Sequence, residues 1–197
     1  NHLSCLNCHG DTPHRRKIVN DHIESVACET CHIPTFAREE PTKTWWDWST
    51  AGKNRDPVPD EYGMPDYDKK KGDYKWDKNI IPEYRWHNGQ ADYYLYGDKI
   101  NPKEVVQLNR LPGTSKDPNA KITPFKIMRG KQPYDSRNKY MIVAKLFGKG
   151  GYWDKYDWDD ASVLGMQAID LAYSGKHGFV ETEMYWPINH MVAPASK

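Results

Sequence analysis

The sequence predicts a mainly α-helical chain with long irregular loops and one small β-hairpin. Two Cys-x-x-Cys-His motifs near the N-terminus predict short helical turns, because one turn brings both thiols and the imidazole to the same side. Later in the chain, after Asp159 and Asp160, apolar residues recur on one helical face up to Gly175: Val163, Met166, Ile169 and Ala172. A second helix is expected over 181–192, with Pro187 near its first turns.

The segments between these motifs and helices complete the predicted organisation of residues 1–197 as one unit. Residues 1–37 hold both motifs, and residues 38–122 are polar, aromatic and rich in turn formers, which favours long ordered loops. Residues 123–147 contain two β-rich runs on either side of a turn, which predicts the hairpin. The C-terminal helices are expected within 159–193.

The composition raises a question about the core. Leu, Ile, Val and Phe make up about 16% of the 197 residues, below the roughly 20% at which a highly charged chain is suspected of disorder. The net charge is only +1, and 8 Trp and 13 Tyr are too many for a disordered polymer. The chain is therefore expected to fold, with something other than aliphatic side chains filling part of its core.

The composition also excludes two classes of protein. A mean hydropathy of −0.92 and the lack of an apolar run of 18 residues exclude a transmembrane helix. Near-neutral, interleaved charges argue against a nucleic-acid binder. The first residues lack an initiator Met and a signal segment, so we expect a processed chain or an excised segment.

The four cysteines all belong to the two Cys-x-x-Cys-His motifs, at 5–9 and 28–32. This motif is the attachment signature of c-type haem, because two thiols three positions apart reach the vinyl groups of one porphyrin. The following His is placed to bind the iron. We therefore predict two haems, with the thioethers and proximal ligands supplied by these residues: Cys5, Cys8, His9, Cys28, Cys31 and His32.

Other interpretations of the cysteines explain less. The 19 residues between Cys8 and Cys28 also suit a zinc ribbon, but a four-cysteine zinc site needs no His after either pair. With 8 His in 197 residues, His would follow both pairs by chance roughly two times in a thousand. Two disulfides or a thioredoxin-like pair leave the histidines equally unexplained. Since c-type haem is attached outside the cytoplasm, we expect a periplasmic or extracellular protein.

Each low-spin haem needs a second axial ligand, and four histidines are candidates: His2, His14, His22 and His190. Asn1-His2 and Asp21-His22 each precede a Cys-x-x-Cys-His motif, and Asn189-His190 repeats this pattern near the C-terminus. The chain is therefore predicted to be a segment of a longer multihaem protein, with His190 serving a neighbouring haem. His87 and His177 lie in polar, Gly-containing stretches and are expected at the surface.

Several segments together resemble the octahaem tetrathionate reductase family, which is related to pentahaem nitrite reductase and hydroxylamine oxidoreductase. They are residues 10–14 (GDTPH), 27–34 (ACETCHIP), 129–135 (RGKQPYD), 178–187 (GFVETEMYWP) and 189–191 (NHM). The resemblance covers essentially the whole chain, as an internal segment of such a protein. It implies a mostly α-helical fold around stacked haems and a catalytic haem with a lysine ligand. No lysine of this chain can be matched to that ligand.

Three functions follow from these observations. The first is electron transfer through bis-His haems, with redox proteins and adjacent haem-bearing segments or subunits as partners. The second is a reductase of a small inorganic substrate such as tetrathionate, nitrite or hydroxylamine, which needs an iron with an open sixth position. The third, from a different class, is a structural zinc-binding protein.

Overall fold

The computed structural model describes residues 4–192 and has a mixed β-sheet as its main feature. Helices make up 17% of the structure and strands 31%, so the prediction of a mainly α-helical fold is wrong. The physical reason is that long-range strand pairing organises the Trp-, Tyr- and Thr-rich segments. These residue types favour a pleated, half-buried surface.

The helices are short. They are α1 (Leu6–His9), α2 (Lys17–His22), α3 (Cys28–His32), α4 (Tyr152–Lys155) and α5 (Trp158–Gln167). A single turn of 3-10 helix spans Trp48–Thr50. None of the helices in residues 4–192 is long and apolar enough to cross a membrane.

Ten strands account for most of the regular structure. They are β1 (Thr42–Asp47), β2 (Tyr67–Asp68), β3 (Gly72–Asp77), β4 (Glu83–His87), β5 (Asp92–Tyr93), β6 (Val106–Gln107), β7 (Asn109–Arg110), β8 (Lys121–Asp135), β9 (Tyr140–Met141) and β10 (His177–Pro187). Seven of them lie within 38–122, where the sequence predicted loops.

The main sheet has eight strands, with β8 at its centre. The hydrogen-bonded order is β2-β3-β1-β8-β10-β6, and β4 and β9 also pair with β8. The β1–β8 and β10–β6 pairs are parallel, and the other pairs are antiparallel. At the β1–β8 crossing, a Cβ on Gly130 would lie 2.8 Å from the carbonyl oxygen of Trp46, so this close approach requires glycine.

Strand β10 occupies the place of the second predicted helix, over 181–192. It pairs with β8 from His177 opposite Asp135 to Pro187 opposite Phe125. The alternate residues Val180 and Thr182 are buried, which is the two-residue period of a strand. A helical interpretation of the same residues fails because β8 offers a full-length partner, and Pro187 ends the strand instead of bending a helix.

The other predicted elements are present in altered form. Helix α5 begins one residue before Asp159, is capped by the carboxylate of Asp157, and ends well before Gly175. The predicted hairpin over 123–147 corresponds to β8 and β9, which share two residue pairs. Most of β8 pairs with β1, β4 and β10 instead.

The core is divided into three small apolar clusters. Their buried members are Val106, Met141 and Val180; Phe125, Ile127 and Tyr185; and Tyr140, Ile142 and Met166. Aromatic rings also stack on one another: Trp46 contacts Trp48 at a centroid distance of 4.6 Å and Trp158 contacts Tyr152 at 4.0 Å. Aromatic rings thus replace much of the missing aliphatic volume.

The β8–β9 turn depends on Asp135, whose side chain is fully buried. Its carboxylate accepts hydrogen bonds from the backbone N–H groups of Arg137, Asn138 and Ser174 and from the Ser174 hydroxyl. Burial by itself would raise the pKa of Asp135, but these hydrogen bonds outweigh it and hold the pKa below its usual value.

We expect Asp135→Asn to lower the free energy of unfolding by about 2 kcal/mol at pH 7, because an amide accepts these bonds more weakly. The pKa of the folded carboxyl is lowered, so its stabilisation is complete above the unfolded pKa of about 3.9 and is lost as the pH falls further. Urea unfolding at pH 7 and pH 3 should show the variant's deficit shrinking in acid. The exposed Asp56→Asn is the control; equal losses for both variants would contradict this role.

Candidate functional site

Each Cys-x-x-Cys-His motif forms one short helical turn. Cys5 precedes α1, which ends at His9, and α3 runs from Cys28 to His32. All four cysteines are free thiols; Cys5, Cys8 and Cys31 are exposed, and Cys28 is half-buried. The two thiols and the imidazole of each motif are therefore available to a group that approaches from outside the protein.

The two motifs lie beside each other although Cys5 and Glu29 are 24 positions apart in sequence. The Sγ of Cys5 lies 3.9 Å from Oε1 of Glu29, inside the second motif. Burial, the negative charge of Glu29 and the nearby Cys28 thiol raise the pKa of Cys5. Groups attached to the two motifs would therefore be close neighbours.

The second motif is fixed to the sheet at the start of β8. The N–H of Ala27 and the hydroxyl of Thr30 both donate to the carbonyl oxygen of Ile122, at 2.9 and 2.7 Å. The N–H of Ile122 donates in turn to the carbonyl of Ser25 at 2.8 Å. These bonds hold the start and the middle of the helical turn that carries His32, so the sheet sets its position.

His14 and His32 face each other in this region. Their ring centroids lie 6.0 Å apart, and their planes differ by 22°. Asn20 of α2 holds the backbone of His14, because its Oδ1 accepts from the His14 N–H at 2.9 Å and its Nδ2 donates to the His14 carbonyl at 2.8 Å. The Nδ1 of His14 is buried and has no hydrogen-bond partner within residues 4–192.

The other predicted ligands within residues 4–192 are exposed. His9 and His22 are exposed at the ends of α1 and α2. His190 is exposed in the segment after β10, beside a separate cavity. His2 lies outside the described residues.

Two histidines expected at the surface have defined environments. His87 is half-buried on β4 and packs edge-on against Phe125 at 5.4 Å, and its burial lowers its pKa. The Nδ1 of His177 lies 2.7 Å from Oδ1 of Asp159. The burial of His87 was missed because its strand, Glu83–His87, was interpreted as a loop.

A protein zinc site finds no support in residues 4–192. No group of three or more His, Cys, Asp or Glu side chains in this part of the chain is placed to hold a metal ion.

Comparisons with known proteins identify the family of this chain. Residues 43–197 match the family described as "Cytochrome c bacterial". The fold is similar to the crystal structure of octaheme cytochrome c from Shewanella oneidensis, with 47% identity and a TM-score of 0.95 over 99% of this chain. The alignment covers 46% of that chain, so the present sequence spans less than half its length. Among curated proteins, none matches.

These findings confirm the resemblance to multihaem c-type cytochromes that the sequence motifs indicate. The family match begins after both Cys-x-x-Cys-His motifs, so it is based on the residues that form the sheet. The structural similarity covers 99% of the chain and therefore includes the motifs as well. Since the matched residues include most of the chain, the protein belongs to the bacterial cytochrome c family.

Proposed function

We propose that this chain carries two c-type haems and transfers electrons between them and the haems of adjacent segments. Cys5 and Cys8 would bind one porphyrin, and Cys28 and Cys31 the other. His9 and His32 would be the proximal iron ligands. The observation that carries the proposal is the pair of facing imidazoles, His14 and His32.

The spacing of this pair would let both imidazoles hold one iron. A metal–imidazole bond is about 2 Å long, so two imidazoles that share a metal have centroids about 6 Å apart. The observed distance is 6.0 Å. The buried, unpartnered ring nitrogen of His14 is costly in an isolated protein, and ligation of a metal by this imidazole explains why the ring is held there.

The first motif is more exposed, and we propose His22 or His2 as the second ligand of its haem. His22 is exposed at the end of α2, whose Asn20 clamps His14. One helix would then position distal ligands for both haems. Because both ligands would belong to one short segment, the two irons would be kept at a fixed separation.

The residues of the chain have defined tasks in electron transfer. A bound haem supplies the redox change of its iron. Thr30 and Ala27 hold the turn of His32 against Ile122, and Asn20 holds the backbone of His14. The protein itself would therefore keep both imidazoles in position for the iron. The contact between Cys5 and Glu29 supports close haem neighbours, as electron transfer requires.

A larger haem chain is part of the proposal. The similar structure is described as octaheme, whereas the present sequence holds two attachment motifs. We propose that further haem-bearing segments or subunits adjoin this chain, with His190 as a ligand to one of their haems, and that redox proteins exchange electrons with the assembly. The proposed location is periplasmic or extracellular, where c-type haem is attached.

Electron transfer is favoured over reduction of tetrathionate, nitrite or hydroxylamine for the second haem. A reductase needs an iron with an open or labile sixth position. Ligation by both His14 and His32 would leave none, so a substrate site in the assembly is better sought at another haem.

The ligand assignment is tested by His14→Ala in the chain matured with its haems. We expect one of two haems to become high-spin, because its sixth ligand is removed, and absorption and electron paramagnetic resonance spectra report this. His14→Met should instead raise that haem's reduction potential. The control His177→Ala removes an imidazole that pairs with Asp159 and should leave both haems low-spin. An unchanged spectrum in His14→Ala would rule out His14 as a ligand.

The attachment sites are tested by mass spectrometry. The wild-type chain should carry the mass of two haems, and the double replacements Cys5→Ala/Cys8→Ala and Cys28→Ala/Cys31→Ala should each remove one. The two variants serve as controls for each other, since each retains one motif. An unmodified polypeptide mass together with bound zinc would contradict the proposal and favour the zinc alternative.

A further inference from the structure

A loop between β9 and α4 holds Phe147 out from the protein surface. Phe147 is 75% exposed, more than any other large apolar side chain in the described part of the chain. The N–H of Tyr152 donates to the carbonyl oxygen of Lys145 at 2.8 Å, which closes the loop. The N–H of Trp153 donates to the carbonyl oxygen of Leu146 at the same distance. The loop that presents the phenyl ring to water is therefore tied at its base.

Side chains and glycines fix the tip of the same loop. The Nζ of Lys145 donates to the carbonyl oxygen of Lys149 at 2.8 Å, and Oδ2 of Asp154 accepts from the N–H of Gly150 at 2.9 Å. Gly148 and Gly150 have φ of +77° and +76°, a conformation in which other residues are strained. The loop is thus held in one shape before any partner arrives, which lowers the entropic cost of binding.

Three neighbouring segments, the loop 145–154 and the stretches 52–54 and 68–71, carry six lysines. The stretch 68–71 lies against α4, because Nε1 of Trp153 donates to the carbonyl oxygen of Lys70 at 2.7 Å. The Nζ of Lys69 donates to Oδ1 of Asn54 at 2.7 Å, which joins the third segment. We call these residues the lysine cluster: Lys53, Lys69, Lys70, Lys71, Lys145 and Lys149.

The lysine cluster has too few carboxylates to balance its charge. None of its members forms an ion pair within residues 4–192. The two aspartates of the three segments, Asp68 and Asp154, accept hydrogen bonds from backbone N–H groups of their own turns. The adjoining Lys155 is already paired with Asp160. The segments therefore hold six positive and two negative charges, in a chain whose net charge is only +1.

We propose that the Phe147 loop and the lysine cluster dock this protein on an anionic phospholipid bilayer. Phe147 would enter the headgroup region, and the lysines would lie near the lipid phosphates. Peripheral membrane binding combines burial of apolar side chains with attraction of basic residues to anionic lipids, and this surface offers both. The inference goes beyond electron transfer and shares with the proposed function only a location outside the cytoplasm.

An acidic protein partner fits this surface less well. A specific protein interface usually buries about 800 Å² on each partner around a packed cluster of aromatic side chains. Phe147 instead stands at the tip of a projecting loop, and lysine is depleted in protein interfaces. A bilayer requires no matching shape, because its headgroups rearrange around one inserted ring and several mobile ammonium groups.

The charge contribution is tested by sedimenting the protein, with its haems attached, with vesicles and measuring haem absorbance in the pellet. We expect binding to vesicles of equal parts phosphatidylcholine and phosphatidylglycerol, little binding to phosphatidylcholine alone, and release as salt screens the lysines. Lys69→Glu/Lys70→Glu should weaken binding roughly 25-fold or more, because each lysine near an anionic membrane contributes about fivefold. Lys103→Glu/Lys116→Glu, at exposed positions outside the cluster, is the matched control and should bind as wild type does.

The apolar contribution is tested at Phe147 with the same mixed vesicles. Phe147→Ser should weaken binding about tenfold or more, because the ring no longer leaves water. Phe147→Trp should retain binding, since indole also favours the membrane interface. The control Tyr96→Ser changes a side chain that is 71% exposed outside the loop and should bind normally. Circular dichroism and the haem spectrum establish that each variant is folded and loaded.

Three results would overturn the inference. They are equal binding of the wild-type protein to both kinds of vesicle, equal weakening by the two lysine double variants, and unchanged binding of Phe147→Ser. Retention on immobilised polyglutamate without binding to vesicles would also overturn it and would indicate an acidic protein partner. The proposed electron transfer is judged separately, because the spectra that test its haem ligands are recorded without lipid.

Discussion

The backbone of Ile122, at the start of β8, is the connection on which the arrangement of this protein depends. Its carbonyl oxygen accepts from Ala27 and Thr30, and its N–H donates to Ser25, so one residue holds the start and the middle of the second Cys-x-x-Cys-His turn. The same strand then pairs with β1, β4, β9 and β10. A single extended segment thus links the second motif to the whole sheet.

The local features of the candidate site were predictable from the sequence, because five consecutive residues determine them. Cys28 and His32 lie on one helical turn whatever surrounds them. The position of His14 was not predictable: His14 and His22 were equally good candidates by sequence. The side chain of Asn20 fixes the backbone of His14 near His32, and no local pattern reveals that contact.

The sheet was missed for a related reason. The residues of β10 alternate between buried and exposed positions only because β8 runs beside them, and these strands are about 50 residues apart in sequence. Likewise, the Trp- and Tyr-rich stretch before Lys121 contains enough Pro, Gly and Asp to suggest loops, yet its short strands pair with partners far along the chain. Pairing energy from distant segments overrode the local turn propensities.

The connection through Ile122 also orders the events of biosynthesis. Thr30 and its acceptor lie 92 positions apart, and the N-terminus is synthesised first. Cys28 and Cys31 therefore leave the ribosome before Ile122, the residue that holds their turn against the sheet, has been synthesised. During that interval neither thiol is held by the sheet. The anchor of the second motif thus forms only after the 92 positions between Thr30 and Ile122 have been added to the chain.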